Sequence, residues 1–252
     1  MKILTSGCSF THAPNSWANQ LKLNYDLTNV AEGGGGNEMN ARNIIQAIHR
    51  QVPDIAILQI SGIDRYELIV DGRIEYTSDA VVPMEKYTWI KSTGDIDWAD
   101  DVDPVIAMPL KNYMKYCHNE THQVLRTLYS ISLFQDVCEA KGVVSKCFLW
   151  RRIFNTRIQS IINNNQELKF WYHKINWDNF WFHENKNYDR LGIAEWGIDN
   201  GYTGDLSEDV LNSPPRGWYI DDESGEKEMI GHPSTECHKQ FGLKVVSKWF
   251  EA

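Results

Sequence analysis

The sequence is short of positive charge. Lys and Arg number 25 against 34 Asp and Glu, a formal net charge of -9 and a pI near 5.4. That balance leaves no electrostatic footprint for a phosphate backbone or an anionic membrane surface. Neither nucleic acid nor a membrane is expected as a partner. No apolar run approaches the ~20 residues of a transmembrane helix, and the run that stops at Thr5, Ser6 and Gly7 is too short for a signal peptide. An intracellular protein is expected. The five cysteines, at 8, 117, 138, 147 and 237, contain no C-x-x-C and are odd in number. Both facts argue against a zinc site and a complete disulfide framework, and suit a reducing compartment. There is no internal repeat or low-complexity run, and the most linker-like segment, 212–217, is short.

What is present is enough apolar residue to build one large core. At 252 residues and 42% hydrophobic content, the chain fits a single α/β domain over 1–252. Ile3-Leu4 reads as a short buried strand stopped by Gly7, and Trp17 and Leu21 as a helix opened by Pro14, Asn15 and Ser16. Leu27 to Ala31 gives a second strand. Four glycines, Gly33 to Gly36, precede a helix from Asn37 that carries Ile44, Ile45 and Ile48 and stops at Pro53. Ile55 to Ile60 is a near-continuous apolar run, the signature of a strand buried on both faces of a parallel sheet.

The centre is less regular. A hairpin about Asp71-Gly72 and an acidic stretch from Asp95 to Asp103 read as an insertion spanning about 70–116, and a second insertion is expected near 165–225. Val124, Leu128, Ile131 and Val137 mark a long helix closed by Gly142, followed by a fourth strand through Val143 to Trp150. A fifth strand is expected near 175–182, and Cys237, Phe241, Val245 and Trp249 recur at helical spacing at the end of the chain. Alternating elements of this kind predict a three-layer α/β/α arrangement, a doubly wound parallel sheet of about five strands. Its ligands bind beyond the carboxyl ends of the strands.

Three loops fall at that edge: Gly7-Cys8-Ser9, Gly33 to Asn37, and Ser61-Gly62-Ile63-Asp64. A serine nucleophile needs a tight exposed turn, a base in reach and donors aimed at a developing oxyanion. Ser9 supplies the turn residue, with Gly7 permitting the turn, and Gly34 and its neighbours supply backbone N–H groups. Asn37 adds a side-chain amide. His232 in Gly231-His232-Pro233-Ser234, just before the last helix, is the candidate base.

Other chemistries fit less well. Cys8 is a possible nucleophile in type, but adjacent residues leaving a strand point to opposite sides, so Cys8 faces the core if Ser9 faces the cleft. No Lys-Ser/Thr follows the glycines, and Glu38 stands where a dinucleotide fingerprint needs Gly. A calcium loop begun at Asp95 has Asp100 at its sixth place and Ile106 at its twelfth. His118-x-x-x-His122 lacks a third ligand. No cofactor or metal is expected. His12, three residues past Ser9, and the rim residues Asp64, Arg65 and Glu67 are candidates to line the pocket. The aromatic residues between Trp171 and Trp196 suit either core packing or stacking on sugar rings.

The motif set resembles the SGNH (GDSL-like) hydrolase family. Gly7-Cys8-Ser9-Phe10-Thr11 is similar to its first block, Asn29 to Asn37 to its glycine-centred second, and His232-Pro233-Ser234 with His238 and Phe241 to its last. The resemblance implies a flavodoxin-like fold and ester hydrolysis, with Ser9 as nucleophile and its N–H in the oxyanion hole beside Gly34. His232 would be the general base, and the substrate a small acyl ester, for example an O-acetyl group on carbohydrate. Two departures stand out. The family's oxyanion Asn falls on Ile63, with Asn37 and Ser61 at hand as replacement donors, and its acid falls on Met229, with Asp221, Asp222, Glu226 and Glu228 nearby. Those departures carry the other reading, a non-catalytic glycan-binding or interaction protein on the same fold.

Overall fold

A computed structural model describes residues 1–71, 81–84, 87–92, 112–113, 116, 119–184, 190–202, 218–220, 227–229 and 233–250, and of the strands between 66 and 92 and between 218 and 229 only the backbone. The chain begins β1 (Lys2–Ser6), α1 (Ser9–His12), α2 (Trp17–Leu21), β2 (Asp26–Asn29), α3 (Asn37–Arg50) and β3 (Ile55–Ile60). Ser16 caps α2 by accepting from Asn19 N–H, as the sequence signal implies. Every residue of β3 is buried, as its unbroken apolar run predicts.

Next come β4 (Tyr66–Asp71), β5 (Val81–Met84) and β6 (Tyr87–Ser92), a separate antiparallel sheet in the order β4-β6-β5. β4 pairs with β6, and so does β5, with Met84 opposite Tyr87. From Gly72 on, the turn expected about Asp71-Gly72 falls on residues outside the described ones, as does the acidic stretch 95–103.

The second half runs α4 (Glu120–Lys141), β7 (Val144–Leu149), α5 (Thr156–Asn163), α6 (Gln166–Lys174), β8 (Phe180–Trp181), α7 (Ile193–Asp199), β9 (Trp218–Ile220), β10 (Lys227–Met229) and α8 (Thr235–Lys244). A 3-10 turn, Val246–Phe250, carries Trp249 on from α8. Gly142 ends α4 at φ 67°, the left-handed cap expected of it, and its N–H closes on Cys138 and Glu139 carbonyls.

The main sheet is entirely parallel in the order β2-β1-β3-β7-β8, the flavodoxin-like winding with its switch point between β1 and β3. The two layers of helix follow from strand alternation. On β7, Phe148 turns toward Trp17 of α2 (ring centroids 5.3 Å) and Phe241 of α8 (5.0 Å). Cys147, next to it, turns toward Cys138 of α4, which packs on α3. The result is α/β/α in three layers. Burial pushes the Cys138 thiol up to about 12 and Cys147 also well above its ordinary range. These thiols stay protonated and serve as packing. No helix among the described residues is long and apolar enough to cross a membrane.

One glycine ties the late elements to the sheet. A Cβ on Gly192 would lie 2.4 Å from Leu149 O, 2.5 Å from Arg151 N and 2.6 Å from the Trp150 carbonyl carbon. All three are backbone atoms and cannot swing aside. Gly192→Ala must push α7 off the end of β7, at a cost on the order of 3 kcal/mol. A chain this size should then lose roughly 6–12 °C in Tm, readable by calorimetry against wild type.

Candidate active site

β1, β2 and β3 are adjacent and parallel, so the three glycine-bearing loops leave the same edge. Hydrogen bonds knit them together: Glu32 N–H donates to Gly7 O at 3.2 Å, and Ser61 N–H to Asn37 Oδ1 at 2.7 Å. Ser9 is the first residue of α1, a position whose N–H the helical ladder does not use. Cys8 caps that turn, its carbonyl accepting from Thr11 and His12 N–H at 2.9 Å each. Ser9 is half-buried while Cys8 is fully buried. The strand has ended at Ser6, and it is the strand-to-helix turn that sets the different burial of the two neighbours.

The residue that fixes this turn is Gln59, buried near the end of β3. Its Oε1 accepts from Cys8 N–H at 3.2 Å, Cys8 Sγ at 3.3 Å and Thr11 Oγ1 at 3.2 Å, while its Nε2 donates to Ile60 O at 2.9 Å. Trp17 Nε1 donates to Thr11 Oγ1 at 3.2 Å, extending the chain. Gly7 is required for space. A Cβ there would lie 2.5 Å from Thr11 Oγ1 and 2.7 Å from Gln59 Oε1, whereas the glycines with positive φ among the described residues are 34, 142 and 201. Sequence reading missed Gln59. One signal for it existed: a polar residue in a run buried on both faces must find a partner.

The second loop turns at Gly34, φ 74°, where a side chain would be strained. Its N–H has no acceptor among the described residues. Asn37 and Ser61 depart from expectation. Asn37 Oδ1 accepts from Ser61 N–H at 2.7 Å and Ser61 Oγ at 3.0 Å, and its Nδ2 donates to Ser61 O at 3.2 Å and Thr127 Oγ1 at 3.0 Å. Both side chains are buried and their polar atoms are spent on holding the third loop. Neither is left to donate to an oxyanion. Asp64 is half-buried beside Arg151, and Ile63 offers no donor.

His232 lies outside the described residues, as do Asp221, Asp222 and Glu226; Glu228 and Met229 are described only as backbone of β10. Two other histidines belong to this region. His12 is exposed at the end of α1, with Nδ1 2.8 Å from Ala31 O. A carbonyl can only accept, so Nδ1 carries the proton and Nε2 is left as the acceptor. His238 is buried on α8, its ring 6.3 Å from that of Phe10. Burial pulls its pKa down to about 3, so it remains neutral near pH 7 and is no base for this reaction.

The His238 shift has a stability consequence. The unfolded chain takes the proton near pH 6.5, the native chain only near 3. Stability from this group is therefore full above the unfolded value and is lost as pH falls through that window, at up to about 1.4 kcal/mol per pH unit. Urea unfolding at pH 7 and pH 5 should show a smaller loss in His238→Gln than in wild type. Equal losses would contradict a buried neutral imidazole.

No family model matches the chain, and no curated protein sequence matches it. Among solved structures it is similar to the psychrotrophic esterase EstA from a Pseudoalteromonas species inhibited by monoethylphosphonate, at 10% identity and TM-score 0.47, over 100% of this chain and 99% of that one. It is also similar to a GDSL-like lipase from Bacteroides thetaiotaomicron, at 12% identity and TM-score 0.40, over 99% of this chain and 87% of that one.

Proposed function

We propose that the chain is a serine esterase that transfers a small acyl group from an alcohol to water. One observation carries the reading: Ser9 opens a rigidly anchored turn at the carboxyl edge of β1, while Cys8 beside it is turned into the core. Ser9 Oγ attacks the ester carbonyl carbon and His232 takes the hydroxyl proton. The tetrahedral oxyanion is met by the N–H groups of Ser9 and Gly34. Collapse expels the alkoxide, which leaves with that proton. Water then gives a proton to His232 and attacks the acyl carbon, the Ser9 Oγ–acyl bond breaks, His232 returns the proton to Ser9 Oγ, and the carboxylic acid departs and ionises in solvent. With Ile63 in the third loop and the Asn37 amide committed to Ser61, the hole has no side-chain donor from these two loops. Losing one such donor costs about 10²- to 10³-fold in rate. An O-acetylated carbohydrate is the substrate class that the resemblance suggests.

A second reading of the base rests on His12. It sits one helical turn after Ser9, the spacing at which side chains on a helix meet, with its tautomer set by Ala31 O. The test separates the two. Wild type should hydrolyse short p-nitrophenyl esters and acetylated sugars, with turnover lost in His232→Ala and retained in His12→Ala. The opposite pattern assigns the base to His12. Equal activity in all three proteins sinks both.

A further inference from the structure

β7 lies beside β3, and Trp150 N–H donates to Ile60 O at 3.1 Å, so the loop after β7 starts beside Ser61. Trp150 packs on Phe10 with ring centroids 4.9 Å apart and planes tilted by 42°, which places this loop next to the turn bearing Ser9. Two donors here are buried with no acceptor among the described residues: Trp150 Nε1 and Arg65 Nη1. Trp150 itself is only 7% exposed. Neither group can accept, so each needs an oxygen, and leaving such a donor buried and unpaired is costly.

The charges point the same way. The Arg151 guanidinium lies 4.4 Å over the Trp150 ring and is close enough to Arg65 to feel its repulsion. Of the nearby acids, Asp64 and Glu195 both act on Arg151. Glu195 accepts from Gly192 N–H at 2.9 Å and Arg152 N–H at 2.8 Å, and Asp64 folds so tightly over Gly62 that a Cβ there would meet its Oδ1 at 2.4 Å. Among the described residues Arg65 has no carboxylate partner.

We propose that the loops after β3 and β7 select an anionic ester, with Arg65 and Trp150 Nε1 receiving a carboxylate or phosphate group of the substrate. The inference rests on the esterase reading for the rest of the substrate. A guanidinium fork suits either anion, and the indole N–H adds direction.

The test compares wild type, Arg65→Gln and Arg65→Lys on four esters: neutral 4-nitrophenyl acetate, the 4-nitrophenyl monoester of succinic acid, 4-acetoxybenzoate and 4-acetoxyphenyl phosphate. The last three place the anion on the acyl side, on the leaving side as carboxylate, and on the leaving side as phosphate. Arg65→Gln should lower the anionic-to-neutral ratio of kcat/KM at least about tenfold on the preferred anionic ester and be partly rescued by Lys. An anionic-to-neutral ratio equal in wild type and Arg65→Gln overturns the proposal. Titration of Ser9→Ala with 4-hydroxybenzoate and inorganic phosphate, with and without Arg65→Gln, reads the anion site without turnover. If no protein hydrolyses any ester, the esterase reading fails, and Arg65-dependent binding of either anion still supports the site; binding that ignores Arg65 overturns it.

Discussion

Ser9→Ala is expected to lower kcat on p-nitrophenyl acetate at least about 10³-fold while leaving Tm within a degree or two. Removing the nucleophile leaves only the binding and electrostatic part of catalysis. Stability should barely respond, because Ser9 is half-buried on the first turn of α1 and Cys8, not Ser9, caps it. Cys8→Ala is the paired control. Its sulfur is fully buried against Gln59 Oε1 at 3.3 Å, so this substitution should lower stability and retain turnover. A reversed pattern would move the chemistry from the hydroxyl to the thiol.

Gln59→Ala should be among the most damaging single changes in this part of the chain. It strips one acceptor from Cys8 N–H, Cys8 S–H and Thr11 O–H, and leaves an amide-sized gap where all neighbours are buried. A buried donor left unpaired costs about 1–3 kcal/mol, and the three share one oxygen, so a total of about 2–4 kcal/mol is expected. Thermal unfolding should show this as a fall of roughly 5–15 °C. Turnover below the transition should fall by about 10²-fold, because the turn carrying Ser9 loses its anchor to β3. An unchanged Tm would mean that the network does not hold the turn.

The fold was legible where local pattern and tertiary demand agree. The apolar run Ile55–Ile60 is buried throughout, Ser16 and Gly142 cap the helices they were expected to cap, and β8 falls inside the segment expected to hold a fifth strand. The parallel sheet layered by helices follows from the alternation of elements. What was illegible depends on atoms far apart in sequence. Gly7 reads as a turn residue, yet it is kept small by Gln59, 52 positions away. Asn37 reads as a free amide beside a glycine loop, yet Ser61 and Thr127 take its hydrogen bonds. The partner of β4 turned out to be β6, which a turn signal at Gly72 could not reveal.

Electrostatics divided in the same way. The net charge of -9 was plain from composition, but not that Arg65 would stand without a carboxylate partner among the described residues while Glu195 binds backbone N–H groups. His238 looked like one more histidine of the last block. Its contact with Phe10 and full burial make it a core residue with a depressed pKa.

The central claim is that Ser9 is the nucleophile, and covalent labelling tests it most directly. Wild type is treated with a fluorophosphonate, digested and mapped by mass spectrometry, beside Ser9→Ala. The account predicts one stoichiometric adduct, localised to Ser9 and absent from Ser9→Ala. An adduct of equal yield in both proteins, or its location on Cys8 or another serine, would contradict it.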